Sequence, residues 1–383
     1  MSVEPFQVHV SQETLDDLQV RLAQTRWPDE IIGADWDYGT NLDYLKELVS
    51  YWQHDFDWRK QEAAMNRFAH FRAVVNGFGL HFIHERGKGE NPFPLLLTHG
   101  FPDSFLRMTK ILPLLTDPAA HGGNPADAFD VVVPSLPGYG FSDKPKEKGF
   151  NAEHIADLFA NLMRDTLGYP QFAAHGGDWG SSITEQLALH HANLLVGIHL
   201  TDIPYLHLFT VPADDLSEAE KKYLEGGQKW STTEGGYAVL QATRPQTLGY
   251  AVNDSPAGLA SWIVEKFYRW SDHDGNLETR FSKDELLTNI TLYWVTETIN
   301  SSFRLYYEAQ HTPPTPSPKY VEVPTGAAIF PKDLIPAPRE YAERFFNIQR
   351  WAEMPRGGHF AALEEPQLLA EEIRAFFRPL RKG

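Results

Sequence analysis

The chain of 383 residues contains no cysteine, which excludes disulfides, iron–sulfur clusters and thiolate metal sites. It also lacks any apolar run approaching the ~18 residues that a membrane-spanning helix needs. Its opening, Met1-Ser2-Val3-Glu4-Pro5, has neither the basic segment nor the apolar stretch of a signal peptide. Positive charge is scarce: 34 Lys and Arg against 51 Asp and Glu leave a net charge of −17. That balance argues against binding nucleic acid through its phosphates and against docking on anionic lipid. There is no Gly-rich phosphate loop, and His190, His191, His199 and His207 form no recognised metal-ligand spacing. The expectation is a cytoplasmic protein with no cofactor, no metal, no nucleic-acid partner and no membrane anchor. What remains is an ordinary globular composition, 42% hydrophobic, in a chain long enough for one large domain with an insertion or for two domains. Ten tryptophans and 13% aromatics would suit an apolar pocket, although most such rings belong to plain core.

The chain is organised around the stretch from Phe172 to Ile183, where a short apolar run ends at Gly176-Gly177-Asp178-Trp179-Gly180 and a helical pattern follows at once. This is the outline of a nucleophile elbow, a sharp strand-to-helix turn that presents one side chain at the top of an α/β-hydrolase sheet. Small neighbours are required, and Gly176 and Gly180 supply them. The reacting residue here is Asp178 rather than serine. A carboxylate is already anionic at neutral pH and attacks without a base. Its product is an alkyl ester, so the natural electrophile is a saturated carbon with a leaving group, an epoxide or a haloalkane.

Around this elbow the pattern divides the chain at 1–90, 91–204, 205–318 and 319–383. The first segment reads as a helical extension packing on the core and the lid: a helix capped by Ser11, a second from Asn41 to Gln53, a third from Trp58 to Phe68, then a hairpin at Asn76-Gly77. Buried-strand runs at Pro94–Leu97, Phe129–Val133 and Leu195–Leu200 flank the elbow strand and imply a mostly parallel sheet covered on both faces. Residues 205–318 read as an inserted helical lid returning through the stiff run Pro313–Pro318. The sheet resumes at Gly326–Phe330 and Ile348–Glu353, and a helix from Pro366 to Phe377 ends the fold.

An elbow nucleophile needs an acid and then a histidine further along the chain. His359, in the glycine loop Arg356-Gly357-Gly358-His359 before the last helix, is the candidate base. Asp333, following the preceding strand, is the candidate orienting acid, with Glu308 and Glu353 behind it. The Phe101 N–H, in His99-Gly100-Phe101-Pro102 after the first core strand, and the Trp179 N–H are expected to converge on one oxygen as an oxyanion hole.

Taken together, His99-Gly100-Phe101-Pro102-Asp103-Ser104, Gly177-Asp178-Trp179-Gly180, Asn253-Asp254-Ser255-Pro256-Ala257-Gly258-Leu259-Ala260 and Gly357-Gly358-His359-Phe360-Ala361-Ala362-Leu363-Glu364 resemble the epoxide hydrolases of the microsomal type. The likeness covers nearly the whole chain. It implies hydrolysis of an apolar epoxide to a diol through an ester on Asp178. It also implies two lid tyrosines that contact substrate with Phe101 and Trp179: Tyr237, in Glu234-Gly235-Gly236-Tyr237, and Tyr306, in Ser301-Ser302-Phe303-Arg304-Leu305-Tyr306. A phenol can hydrogen-bond the oxirane oxygen and then protonate it. Tyr307 competes with Tyr306, but neighbours on a helix point about 100° apart, and the motif favours Tyr306. Mammalian members of this type begin with a membrane anchor and use glutamate as the acid; this chain departs in both respects toward the soluble fungal and bacterial members. The alternatives are a dehalogenase on the same triad, in which halide needs no proton donor, and a non-enzymatic ligand-binding protein. Substrate identity and oligomeric state, including a homodimer, are left open by the residues alone.

Overall fold

The computed structural model describes residues 2–205, 207, 211, 215–312 and 320–381; the expected connector Pro313–Pro318 lies outside them. Among the described residues, nine strands form one sheet in the order β1-β2-β3-β5-β4-β6-β7-β8-β9. They are β1 (Val3–Pro5), β2 (His70–Val75), β3 (Phe78–Glu85), β4 (Phe93–Thr98), β5 (Phe129–Pro134), β6 (Phe172–Gly176), β7 (Leu195–Leu200), β8 (Val321–Ile329) and β9 (Phe346–Glu353). The pairs from β5 through β9 are parallel. Their central members read as unbroken apolar runs because both faces are covered: Leu95, Leu96 and Leu97 of β4 are fully buried, as are Val131, Val132 and Val133 of β5.

The sheet also reaches into the first 90 residues. β1, β2 and β3 add to it antiparallel, β3 pairing with β5. The β2–β3 turn is tight: Phe78 already pairs with Val75, so the strands are closer than the two runs read in the sequence, His70–Val75 and Leu80–Glu85, which leave four residues between them. Only Asn76 (φ 49°) and Gly77 (φ 81°) make the turn, both in the left-handed region that a two-residue hairpin requires. The three early helices are α1 (Gln12–Ala23), α2 (Leu42–His54) and α3 (Trp58–Met65), capped by Ser11, Asn41 and Asp57 side chains.

Helices α4 (Leu112–Thr116), α5 (Ala152–Asn161) and α6 (Trp179–His190) belong to the first half of the parallel sheet. The inserted lid is helical: α7 (Glu218–Thr233), α8 (Gly236–Thr243), α9 (Pro245–Val252), α10 (Pro256–Trp270), α11 (Lys283–Thr296) and α12 (Ile299–His311). Helices α13 (Arg339–Ala342), α14 (Ala361–Glu364) and α15 (Pro366–Phe377) complete the chain. The early segment clasps the lid: Arg21 pairs with Asp254 at 2.7 Å, Tyr51 donates to Asp284 at 3.0 Å, and Trp36 stacks on Tyr268 with centroids 3.8 Å apart. From the core side, the Gly138-Tyr139-Gly140 turn holds α12. Ser301 Oγ donates to Gly138 O at 2.6 Å, and Tyr139 OH donates to Ser302 O at 3.2 Å. No described helix is long and apolar enough to cross a membrane.

Candidate active site

The turn between β6 and α6 places Asp178 at φ 59°, ψ −126°, a left-handed conformation that costs a non-glycine residue about 1–3 kcal/mol. The surroundings enforce it. A side chain at Gly176 would run into the Gly180 carbonyl, and one at Gly180 into the carbonyl of Thr98 at the end of β4. Asp178 precedes the first residue of α6, so the positive end of that helix favours its anion.

The two carboxylate oxygens of Asp178 have different surroundings. Oδ1 accepts the Phe101 N–H at 2.8 Å. Oδ2 faces His359 Nε2 across 3.3 Å, off the line of a good hydrogen bond. His359 sits on the loop after β9, fully buried, with Nδ1 2.7 Å from Oδ1 of Asp333 on the loop after β8. Burial works to lower the imidazole pKa, but the Asp333 and Asp178 carboxylates outweigh it and push it up to about 10.

Two phenols hang over this group from the lid. Tyr237 of α8 and Tyr306 of α12 are 7% and 9% exposed, their rings edge to face with centroids 5.8 Å apart. Tyr237 lies parallel to the Phe101 ring at 6.1 Å, and Tyr306 meets the edges of Phe101 at 5.6 Å and Trp179 at 4.9 Å. Burial raises both phenols above their ordinary pKa; Asp178 adds to that for each, and for Tyr306 the Tyr237 phenol adds more. They are therefore neutral donors at physiological pH. Tyr307 points elsewhere and stacks on His311 at 4.0 Å. Of the reserve acids, Glu308 accepts from the Gly149 N–H and the Thr312 hydroxyl, and Glu353 is exposed at the end of β9.

Two carboxyls at the site escaped the sequence reading. Asp202, just past β7, accepts the Asp178 N–H at 2.7 Å and the Ser181 hydroxyl at 2.9 Å through Oδ1, and so fixes the elbow from below. Burial, reinforced by Asp333, pushes its pKa up to about 7. Glu364 gathers the N–H groups of Gly358, Phe360 and Asp272 at 2.8–3.0 Å, and burial raises it to about 7 as well. Its bonds stitch the His359 loop to the end of α10, as do His359 N–H to Trp270 O at 2.8 Å and Gly357 N–H to Asp272 Oδ2 at 2.9 Å. Arg107 ties the same loop to the floor, donating to His359 O and pairing with Asp103 at 2.9 Å. Among the described residues, no group of three or more His, Asp or Glu side chains could hold a metal ion.

In chemical terms the site holds a carboxylate fixed through one oxygen, a carboxylate-backed imidazole beside its other oxygen and two neutral phenols above it, all enclosed by aromatic rings. Comparison with known proteins gives the same direction. The family described as "Epoxide hydrolase N terminus" matches residues 3–108, and that described as "alpha/beta hydrolase fold" matches residues 94–235. A protein of Stigmatella aurantiaca (strain DW4/3-1) that carries an epoxide hydrolase name is 47% identical over 380 residues, spanning 99% of this chain and 86% of its own. Epoxide hydrolase 1 of Sus scrofa is 40% identical over 98% of this chain and 88% of its own. The structure of Aspergillus niger epoxide hydrolase superposes with a TM-score of 0.86 at 31% identity, covering all of this chain and 97% of that one.

Proposed function

The chain belongs to the epoxide hydrolase family and hydrolyses epoxides with water, and from that premise we propose how its own residues divide the work. Asp178 Oδ2 attacks a carbon of the oxirane, and the C–O bond opens toward Tyr237 and Tyr306, which hold the departing oxygen and protonate it. The product is a hydroxyalkyl ester of Asp178. Water then attacks the ester carbonyl carbon while His359 Nε2 takes its proton, with Asp333 orienting the ring and stabilising the imidazolium. Oδ1, now the carbonyl oxygen, gathers negative charge against the Phe101 and Trp179 N–H groups. Collapse releases a vicinal diol and restores the carboxylate.

The observation that carries this reading is the unequal treatment of the two Asp178 oxygens, one bonded to a backbone donor at 2.8 Å and the other facing His359 at 3.3 Å. The raised pKa of His359 also fits the order of steps. Its elevation depends partly on the Asp178 charge, which esterification removes, so the imidazole becomes easier to deprotonate when a base is needed. Dividing one difficult addition of water into two assisted steps is the gain from covalent catalysis. A halide-releasing reaction on the same triad would have no use for two proton donors. Apolar epoxides of moderate size suit the aromatic enclosure; a cytoplasmic location fits the acidic, cysteine-free chain, and a homodimer is compatible with the scheme.

A single turnover in heavy-oxygen water tests it. The label should enter the Asp178 carboxyl and be missing from the first diol; label appearing directly in that diol would refute the ester.

A further inference from the structure

The lid helix α10 carries Trp262, Lys266 and Trp270 at successive i, i+4 positions, so the three share one face. That face turns inward. The Lys266 side chain is only 8% exposed, although an ammonium is among the groups least willing to leave water. Its Nζ lies 4.7 Å from the centroid of the Tyr237 ring and 5.7 Å from those of Trp262 and Trp270. Glu265 is its ion-pair partner. A buried cation on the face of a ring of the proposed site is an expensive arrangement for packing alone, and among the described residues no cation sits over the Tyr306 ring.

A cation held against the face of a phenol is attracted by the ring's π electrons, and more strongly still when the phenol becomes phenolate. Proton donation by Tyr237 to the opened oxirane oxygen creates that charge. The Tyr237 O–H bond breaks, the new alcohol O–H bond forms, and the electron pair stays on the phenolate oxygen. The proton that His359 later takes from water makes the deficit good. Two features separate the tyrosines: the hydrogen bond between their side chains lowers Tyr237 and raises Tyr306, and the ammonium lies on the face of Tyr237. Glu265 raises the Tyr237 pKa, the sense opposite to that of an ammonium on the ring face.

We propose that Lys266 is a positioning residue of the epoxide-opening step: its ammonium on the face of Tyr237 stabilises the phenolate, so that Tyr237, rather than Tyr306, gives up the proton. This rests on the ester mechanism above. The test is single-turnover rapid quench with a styrene-type epoxide, following the Asp178 adduct by intact mass, in Lys266→Met and Lys266→Arg, each in the parent, Tyr237→Phe and Tyr306→Phe backgrounds. Lys266→Met should slow ester formation up to about 30-fold in the parent and in Tyr306→Phe, and add nothing in Tyr237→Phe. Ester hydrolysis should be unchanged, and Lys266→Arg should restore most of the loss. Should Lys266→Met fail to fold, Lys266→Gln, which still hydrogen-bonds Glu265, is expected to show the same loss. The inference is overturned if the loss persists in Tyr237→Phe, if arginine is no better than methionine, or if only hydrolysis slows. A parent enzyme that forms no adduct at all would instead refute the ester mechanism.

Discussion

Replacing Asp333 by asparagine would separate the two chemical steps. The amide is nearly isosteric and keeps an oxygen within reach of His359 Nδ1, now 2.7 Å from the carboxylate, but the charge is gone. A hydrogen bond to a charged group contributes about 1.5–3 kcal/mol. At about 1.4 kcal/mol per tenfold in rate, its loss slows hydrolysis of the ester by about 10- to 150-fold. Ester formation needs no base, since a carboxylate attacks without one, and is expected to hold within about threefold. Asp333 is also foremost among the influences raising His359, so the variant's imidazole titrates at lower pH than the parent's. More of it is unprotonated at neutral pH, and a slower hydrolysis therefore reports lost orientation and lost stabilisation of the imidazolium, not a shortage of free base. Rapid quench with intact-protein mass spectrometry reads both steps, with the adduct building up in the variant and decaying promptly in the parent. If the two steps slowed together, or the adduct decayed at the parental rate, the assignment of Asp333 to the second step would be refuted.

Gly180→Ala should lower stability by about 1–3 kcal/mol, because the added methyl meets the backbone carbonyl of Thr98, which has nowhere to go; chemical denaturation measures it. Asp202→Ala strips the Asp178 N–H of its acceptor and should destabilise the fold by about 1–3 kcal/mol; an unchanged midpoint would mean that the elbow is held by other means. The pH dependence of stability has a definite sign above about pH 7.5, where the buried His70, His81, His84, His175 and His199, all lowered by burial, no longer take up protons on unfolding. Asp202 and Glu364, raised to about 7, bind extra protons in the folded state below that range. His359, raised to about 10, contributes stability that is complete below its ordinary pKa near 6.5 and is lost as pH rises through 10. Stability should therefore fall from about pH 7.5 to 10 in urea titrations, and a rise over that interval would contradict the pairing of His359 with Asp333 and Asp178.

The elements that announce themselves locally were legible in the sequence. The helix cap at Ser11, the strand runs of β4 and β5, the glycine-spaced elbow and the glycine loop of His359 each have a short-range cause. The fold class followed from the alternation of strands and helices. The hairpin and β8 were harder: Phe78 and Val321 belong to strands because of partners across the sheet, and three residues of β1 find Ala73, Arg72 and Phe71 nearly seventy positions away. Asp202 and Glu364 escaped for another reason. They act by accepting backbone N–H groups, and a side chain that serves the main chain leaves no spacing to recognise. Lys266 shows periodicity with its two tryptophans, but charge at that position reads as a solvated face until the helix is seen to turn it inward.

The bonds from Glu364, Trp270 and Asp272 that join the His359 loop to α10 have a mechanical consequence. The imidazole is moored to the end of a lid helix, so any displacement of α10 would pull on a ring held between Asp333 and Asp178.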